Sequence, residues 1–543
     1  MESQPTTDHH PDGHYDVIVV GAGFAGLYML HRCRQAGLRT VVIEAGGGPG
    51  GTWYWNRYPG ARCDVDSLDY CYGFDPDLLQ EWEWSERFAT QPEILRYIEH
   101  VVERFDLGRN IVFDTRVSAL EFDEASSTWH VTTSHGSRPT SRFCVMATGS
   151  LSHSNTPDFP GFRAFAGSVH HTGRWPQDPV DFSGKRVGVI GTGSSGIQAI
   201  PEIAETAEHL YVFQRTPNFT IPARNAPLDP DFVDERKRNY ADYKRAAMRT
   251  RAGYIPQIPP AGPSAAADDE ERRTRELELR WQHGGNLLVW SYEDLLRNSE
   301  SNDLVADFVR SKIAEIVDSP ETAALLTPTD HHIATKRICV DTDYYATFNR
   351  PDVTLVDLRS DPIATFTQYG LVTEQQAYHL DMIVLATGYD AMTGALMNIP
   401  TIGRNGTTIQ SAWADGPATY LGLGIHGLPN YFVVAGPGSP SVRANMVAAI
   451  EQHVDWITRC IAYLDEYGFK TIEATAEAQE KWVDHVAALA DDTLFATTRS
   501  WYSGSNIEGK PNVFAPYLGG LDVYGDEIDA AAGAGYSGFS LER

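Results

Sequence analysis

Residues 21–26 read Gly-Ala-Gly-Phe-Ala-Gly, directly after an apolar, β-branched run at 16–20 and directly before a helically spaced apolar stretch that stops at Gly37. That order of strand, tight turn and helix is the setting in which G-x-G-x-x-G has a physical purpose. Glycines let the backbone turn sharply and approach a pyrophosphate, whose charge is met by backbone N–H groups and the positive end of the helix. Residues 40–43 supply the next strand, and Glu44 closes it where a carboxylate can accept hydrogen bonds from ribose hydroxyls. The unit recurs as a strand at 186–190, the turn Gly191-Thr192-Gly193-Ser194-Ser195-Gly196, a helix running through Ile203 and a strand at 210–213. Two βαβ units in one chain predict an α/β protein with two Rossmann-like dinucleotide-binding domains.

The two cradles differ at one position. The offset from Gly21 to Glu44, applied from Gly191, lands on Gln214, followed by Arg215 and Thr216. A carboxylate there repels a 2′-phosphate, whereas a neutral side chain beside a guanidinium accepts one. One acid-terminated and one arginine-terminated site imply two different dinucleotides, FAD at the first and NADPH at the second. The first cradle offers Gly21, Gly23, Phe24, Gly26 and Glu44 to FAD. The second offers Gly191, Thr192, Gly193, Ser194, Ser195, Gly196, Ile197, Arg215 and Thr216 to NADP.

Between residues 225 and 330 the composition turns charged and helix-favouring, with an Ala/Pro/Gly loop at 259–267, and reads as a helical insertion. The expected organisation is a disordered tail at 1–14, an FAD domain from 15–145 and 386–543, an NADP domain from 146–224 and 331–385, and the insertion at 225–330. A formal charge of −28 argues against nucleic-acid or anionic-membrane partners, which it would repel. No apolar run is long enough to cross a bilayer and the N-terminus lacks the regions of a signal peptide, so a soluble, cytoplasmic protein is expected, as a monomer or weak homo-oligomer. The six cysteines show no C-x-x-C spacing, so no metal site is expected. A pyridine nucleotide–disulfide reductase is disfavoured for the same reason, since Cys63 and Cys71 are too far apart for a redox pair. Three classes remain at this point: a flavin monooxygenase, a flavin oxidase or reductase, and a non-catalytic dinucleotide-binding protein.

Two longer patterns narrow the choice. Phe165, Gly167, His171, Trp175 and Pro176 fit F-x-G-x-x-x-H-x-x-x-W-P, and Gly50, Gly51, Trp53, Tyr58, Pro59, Gly60 and Asp64 fit a Gly-Gly-x-Trp, aromatic-Pro-Gly, Asp pattern. On both the chain resembles the type I Baeyer–Villiger monooxygenases, nearest to the phenylacetone and steroid monooxygenase branch. The resemblance runs through almost everything after Tyr15. It implies insertion of one oxygen of O2 beside a ketone carbonyl, through a C4a-peroxyflavin, to give an ester or lactone. It also implies that Arg337 is the catalytic cation with Asp64 as its carboxylate partner, a suitable choice because a guanidinium is charged at any working pH. FAD would further meet Thr52, Trp53, Tyr54, Trp55, Asp64, Tyr70, Val117 and Met446. NADP would further meet Arg62, Cys63, Asp64, Lys336, Arg337 and Trp501, the last on a loop that closes over nicotinamide and substrate. The fingerprint around His171 is implied to act as a hinge between domains rather than as a base. The same family context offers a flavin N- or S-oxygenase as the near alternative and a non-catalytic redox sensor as the distant one, with Trp175-Pro176 and Arg337 arguing against both.

Two departures from the family pattern stand out. Residues 331–334 read His-His-Ile-Ala where close relatives tend to carry a Pro and a Gly, which leaves the conformation of the loop before Lys336-Arg337 open. In the substrate-lining stretch Ser441, Val442, Arg443, the arginine stands where an apolar residue is usual, so a different substrate range is expected.

Overall fold

The computed structural model describes residues 12–543. The expected tail lies outside the described residues as far as residue 11. Its last residues do not continue as a tail, because Asp12 accepts a hydrogen bond from the Arg138 N–H and His14 opens the first strand, His14–Val20.

The first sheet has eight strands. Thr40–Ile43 and Thr140–Met146 flank His14–Val20, all parallel; Ile111–Val112 adds to one side, and the antiparallel pair Val117–Asp123 and Thr128–Thr133 adds to the other. Two strands from far along the chain, Thr401–Ile402 and Tyr431–Val433, complete it. Side chains alternate across a strand, and the sequence uses both faces. Val17, Val19 and Val42 join a core shared with the helices Phe24–Gln35 and Met446–Tyr467, while Ile18, Val20, Val41 and Ile43 join the core on the opposite face.

The second sheet has five parallel strands in the order Val353–Asp357, His209–Gln214, Arg186–Ile190, Met382–Leu385, Ser168–His171. Val187, Val189, Leu210, Val212 and Val384 face one core, and Ile190, Phe213, Ile383 and Leu385 the other. Both cradles therefore stand at the carboxyl ends of central strands, where open α/β sheets bind ligands.

The insertion is helical, as its composition suggests, but it is not one packed body. Its first helices, Pro230–Arg238 and Tyr240–Ala247, lie on the first core: Tyr240 is buried there and Lys244 donates to the carbonyls of Asp69 (2.8 Å) and Cys71 (2.9 Å). Its later helices, Glu270–His283, Ser299–Ile316 and Pro320–Leu326, bury Leu277, Trp281, Val305, Val309 and Ile313 in the core of the second sheet. The insertion thus spans both halves, and residues 259–267 form the irregular link between its two parts.

The loop before Lys336-Arg337 is clamped rather than loose. Asn302, fully buried, donates to the Ile333 carbonyl (3.0 Å) and accepts from the Ile333 N–H (2.9 Å). Ala334 follows at φ +67°, a left-handed conformation that costs a residue with a Cβ roughly 1–2 kcal/mol and glycine almost nothing. Ala334→Gly is therefore expected to raise the melting temperature by about 1–2 °C in calorimetry, after allowance for the freer unfolded chain. A lowered melting temperature would show that Ala334 is not strained.

All six cysteines are free and buried. Among the described residues no cluster of side chains suits a metal ion, and no helix is long and apolar enough to cross a membrane.

Candidate active site between two dinucleotide cradles

The first cradle is built from backbone contacts that exclude side chains. A Cβ on Gly26 would stand 1.8 Å from the Gly21 carbonyl oxygen, so glycine is what lets the helix Phe24–Gln35 seat against the turn. Gly21 itself sits at φ +104°, with the Ala147 carbonyl oxygen 2.6 Å from where a Cβ would be. A Cβ on Gly23 would stand 3.4 Å from the Gly51 Cα, so the Gly-Gly of the second family pattern packs onto the first cradle. Glu44 is buried and accepts from the N–H groups of Ala22 (2.6 Å) and Gly46 (2.7 Å). Burial raises its pKa above the usual carboxylate range, opposed by those donors. Each carboxylate oxygen still has acceptor capacity for a ribose hydroxyl.

The short helix Thr52–Trp55 forms the adjoining wall. Trp53 donates from Nε1 to the Tyr70 hydroxyl (3.1 Å), and the Trp55 carbonyl accepts from the Trp175 N–H (3.2 Å), so the fingerprint tryptophan is tied to the flavin-side wall. Tyr54 turns away, its hydroxyl accepting from the Gly47 N–H at 3.0 Å.

Arg337 meets Asp64 through a two-pronged ion pair, Nε to Oδ2 at 3.0 Å and Nη2 to Oδ1 at 2.8 Å and Oδ2 at 2.6 Å. Its Nη1 donates to the Val442 carbonyl at 2.8 Å, which leaves at least one Nη1 hydrogen without a protein partner. The Asp64 carboxylate pushes the arginine's pKa further up, against the effect of burial, so the cation persists at every working pH. The carbonyl of Asp64 accepts from Asn286 Nδ2 (2.7 Å), and Asn286 comes from the insertion.

The second cradle repeats the first in its packing contacts. Gly191 is at φ +108° with a Cβ position 2.4 Å from the Ala386 carbonyl oxygen, and a Cβ on Gly196 would stand 2.2 Å from the Gly191 carbonyl oxygen. Gly193 differs, because a Cβ there would meet no atom of the chain within 4 Å. Thr192 Oγ1 donates to the Thr216 carbonyl (3.0 Å), fixing the turn against the end of the next strand. Gln214 is buried with Nε2 on the Leu325 carbonyl (2.8 Å), while its Oε1 has no partner. Burial lowers the Lys336 pKa, Asp330 opposes that, and Arg215 lowers it further, so the exposed Arg215 and the half-buried Lys336 share one neighbourhood. Two cations beside an open glycine and an orphaned acceptor suit a phosphate-bearing sugar.

A cleft of about 490 Å3, open to solvent, runs between the cradles. That lies within the roughly 300–1,000 Å3 typical of small-molecule and cofactor sites. Of the residues singled out from sequence, Gly21, Gly23, Phe24, Glu44, Thr52, Trp53, Trp55, Arg62, Cys63, Asp64, Tyr70, Val117, Ser194, Ser195, Arg337, Val442, Met446 and Trp501 line it. Gly191, Thr192, Gly193, Gly196, Ile197, Arg215, Thr216 and Lys336 lie beyond it, and Gly26 and Tyr54 stand behind the first cradle. Burial drives the Cys63 thiol far above its ordinary pKa, so it is no reactive thiolate.

The Ser441–Arg443 turn divides. Ser441 is fully buried with its hydroxyl on the Ala435 carbonyl (3.2 Å), and Arg443 lines a different cavity, its guanidinium 4.9 Å from the Phe495 ring centre and 5.7 Å from that of Tyr502.

His171 is outside the cleft. Its Nδ1 accepts from the Gly173 N–H (2.9 Å), which leaves Nε2 to donate to the Asn155 carbonyl (3.0 Å), beside the Thr387 hydroxyl. Burial lowers its pKa and keeps it neutral. Asn155 and Thr387 belong to the two segments that cross between the sheets, so the imidazole pins the crossover. Gly167 supports it, since a Cβ there would stand 2.4 Å from the Asp381 carbonyl oxygen and run into Phe165. Asn286 and Tyr502 were not marked as site residues by sequence. Tyr502 had a signal as the neighbour of Trp501, whereas Asn286 had none.

The family described as pyridine nucleotide-disulphide oxidoreductase matches residues 18–250, the stretch that holds both cradles. A Baeyer-Villiger monooxygenase of Pseudooceanicola batsensis is 39% identical over 97% of this chain and 96% of its own length. A phenazine N-monooxygenase of Lysobacter antibioticus is 40% identical over 97% of each. The solved structure of an oxidized steroid monooxygenase bound to NADP superposes with a TM-score of 0.93 at 52% identity, over 97% of this chain and 99% of that one. With both cradles, the Arg337–Asp64 pair and this likeness over nearly its whole length, the chain belongs to the type I Baeyer–Villiger monooxygenases, oxidoreductases that work with FAD and NADP.

Proposed function

We propose that the protein converts a ketone, O2, NADPH and a proton into an ester or lactone, NADP and water, with Arg337 as the catalytic residue. The observation that carries this is the Arg337–Asp64 fork in the wall of a cleft that joins the two cradles. When bound, the flavin supplies hydride acceptance and oxygen activation. Everything else falls to the chain. Gly21, Gly23, Gly26 and Glu44 hold one dinucleotide; Gly191, Gly193 and Gly196 hold the other, with Arg215 and Lys336 on its 2′-phosphate. Asp64 and the Val442 carbonyl hold the Arg337 plane so that its remaining N–H stabilises negative charge on oxygen beside the ketone. Trp501, on the turn Trp501–Ser503, closes the cleft against water.

The test is product analysis with purified protein, NADPH and O2 against aryl, cyclic and steroid ketones. Product heavier than the ketone by one oxygen, with the hydrolysis pattern of an ester, supports the reading. The 40% identical phenazine N-monooxygenase makes N-oxygenation the second reading, so an aromatic N-heterocycle belongs in the same panel. Oxidation of the heterocycle with no ester from any ketone would replace the first reading by the second.

The coenzyme assignment has its own test. Arg215→Ala is expected to reduce the NADPH-over-NADH ratio of kcat/KM about 10- to 100-fold, the equivalent of one charge-assisted hydrogen bond. An unchanged ratio would clear Arg215 and leave Lys336 as the phosphate ligand.

A further inference from the structure

Behind the wall that carries Arg337 lies a second cavity of about 360 Å3, open to solvent, where the insertion meets the C-terminal part of the chain. Arg251, Arg297 and Arg443 line it, among apolar walls that include Trp290, Leu296 and Phe495. Arg251 feels the other two: after burial, the charges of Arg297 and Arg443 lower its pKa, and the carboxylate of Asp522 does not restore it. Arg251 makes one side-chain hydrogen bond, to the Leu518 carbonyl at 2.5 Å. Among the described residues neither Arg251 nor Arg443 has a carboxylate within ion-pair distance; only Arg297 is paired, with Asp492 at 3.2 Å, and Glu293 stands exposed at the lip.

Arg251 and Arg297 are exposed and Arg443 is half-buried, so solvent weakens their mutual repulsion without removing it at Arg251. A single shared carboxylate or phosphate turns that repulsion into attraction. The cavity is also coupled to the reacting end of the molecule. Val442 faces the main cleft and binds Arg337 through its carbonyl, and the next residue, Arg443, faces the cavity. Tyr502, over whose ring Arg443 lies, has a fully buried hydroxyl without a partner and is near enough to Arg337 to act on its charge.

We infer that this cavity is a subsite for the acidic end of the substrate, a ketone whose apolar body carries a carboxylate or phosphate. The inference rests on the ketone-oxygenating reading above, with the carbonyl on the Arg337 side of the Ser441–Arg443 turn and the acid on the arginine side.

The experiment compares 4-benzoylbutyrate with its methyl ester on the FAD-loaded enzyme, by ester formation and by isothermal titration. The acid is expected to be preferred about 10- to 100-fold in kcat/KM, expressed in KM rather than kcat. Arg251→Gln/Arg443→Gln is expected to erase that preference, and rising salt to weaken it. The two single variants, each expected to remove part of it, decide the matter if the double variant does not fold. Equal use of acid and ester by the wild type, or a preference that survives the substitutions, overturns the subsite. Inorganic phosphate is the free-anion arm: inhibition of the methyl ester as strong as that of the acid would make this an effector site and overturn the substrate reading. If neither ketone is turned over, the functional reading fails, and titration still decides the subsite by whether the acid binds and the ester does not.

Discussion

Arg337→Ala is expected to give a yellow protein with the wild-type content of FAD and no detectable ester product. The side chain touches none of the glycines of the first cradle, and Glu44 keeps both of its N–H donors, so flavin retention should survive. Removing one preorganised donor aimed at developing negative charge costs about 10²–10³ in rate, and Arg337 supplies a full cation as well, so a loss beyond 10³ is expected. Arg337→Lys should recover little, because an ammonium keeps the charge but not the planar fork that reaches both Asp64 oxygens and the Val442 carbonyl together. Asp64→Ala should be milder, since the guanidinium stays charged and keeps its bond to Val442 but loses the partner that sets its plane. Asn286→Ala should be milder still, as it frees only the Asp64 carbonyl. The measurement is ester formed per NADPH consumed, with hydrogen peroxide release counted alongside. Near wild-type coupling in Arg337→Ala would remove the residue from the chemistry altogether.

What could be read from sequence follows from how far each demand reaches along the chain. The cradles were legible because a turn at φ above +100°, and a helix seated so close that a Cβ would come 1.8 Å from a carbonyl oxygen, allow only glycine, and such demands mark the residue itself. The strands were legible for the same reason, since alternation across two buried faces leaves unbroken apolar runs such as residues 17–20. Arg337 and Asp64 were legible only through a family resemblance. They are 273 residues apart, and nothing local in either segment calls for the other. Asn286 shows the limit, because a side-chain bond to a backbone carbonyl 222 residues away imposes no pattern on its surroundings. The insertion was readable as helical from composition, but not its division between two cores, which depends on surfaces contributed by both sheets. Arg443 is legible as an apolar position of the family turned cationic. Its direction, away from the main cleft, is set by the turn at Ser441–Arg443 and by the rings of Phe495 and Tyr502.

Gly193→Ala is expected to separate the folding role of a cradle glycine from its ligand role. The residue stands at φ −84° and ψ −172°, extended backbone open to any L-amino acid, and a Cβ would meet no chain atom within 4 Å. Nothing in the protein therefore requires glycine at this position. Under the proposed coenzyme assignment the demand comes from a pyrophosphate drawn against the N–H groups at the start of the helix Ser194–Ala204, in the path of whose oxygens a methyl group would stand. The variant should fold with an unchanged melting temperature and full FAD. Its KM for NADPH should rise about 10- to 100-fold, the effect of roughly 1–3 kcal/mol of overpacking, and Gly193→Val should raise it further. Gly26→Ala makes the contrast, since its Cβ would collide with the Gly21 carbonyl oxygen at 1.8 Å and the first helix could not seat. That protein should be colourless or insoluble, with flavin binding and folding lost together. If Gly193→Ala instead lost its fold, or kept its wild-type KM for NADPH, the second cradle would not be holding the nicotinamide dinucleotide by its pyrophosphate.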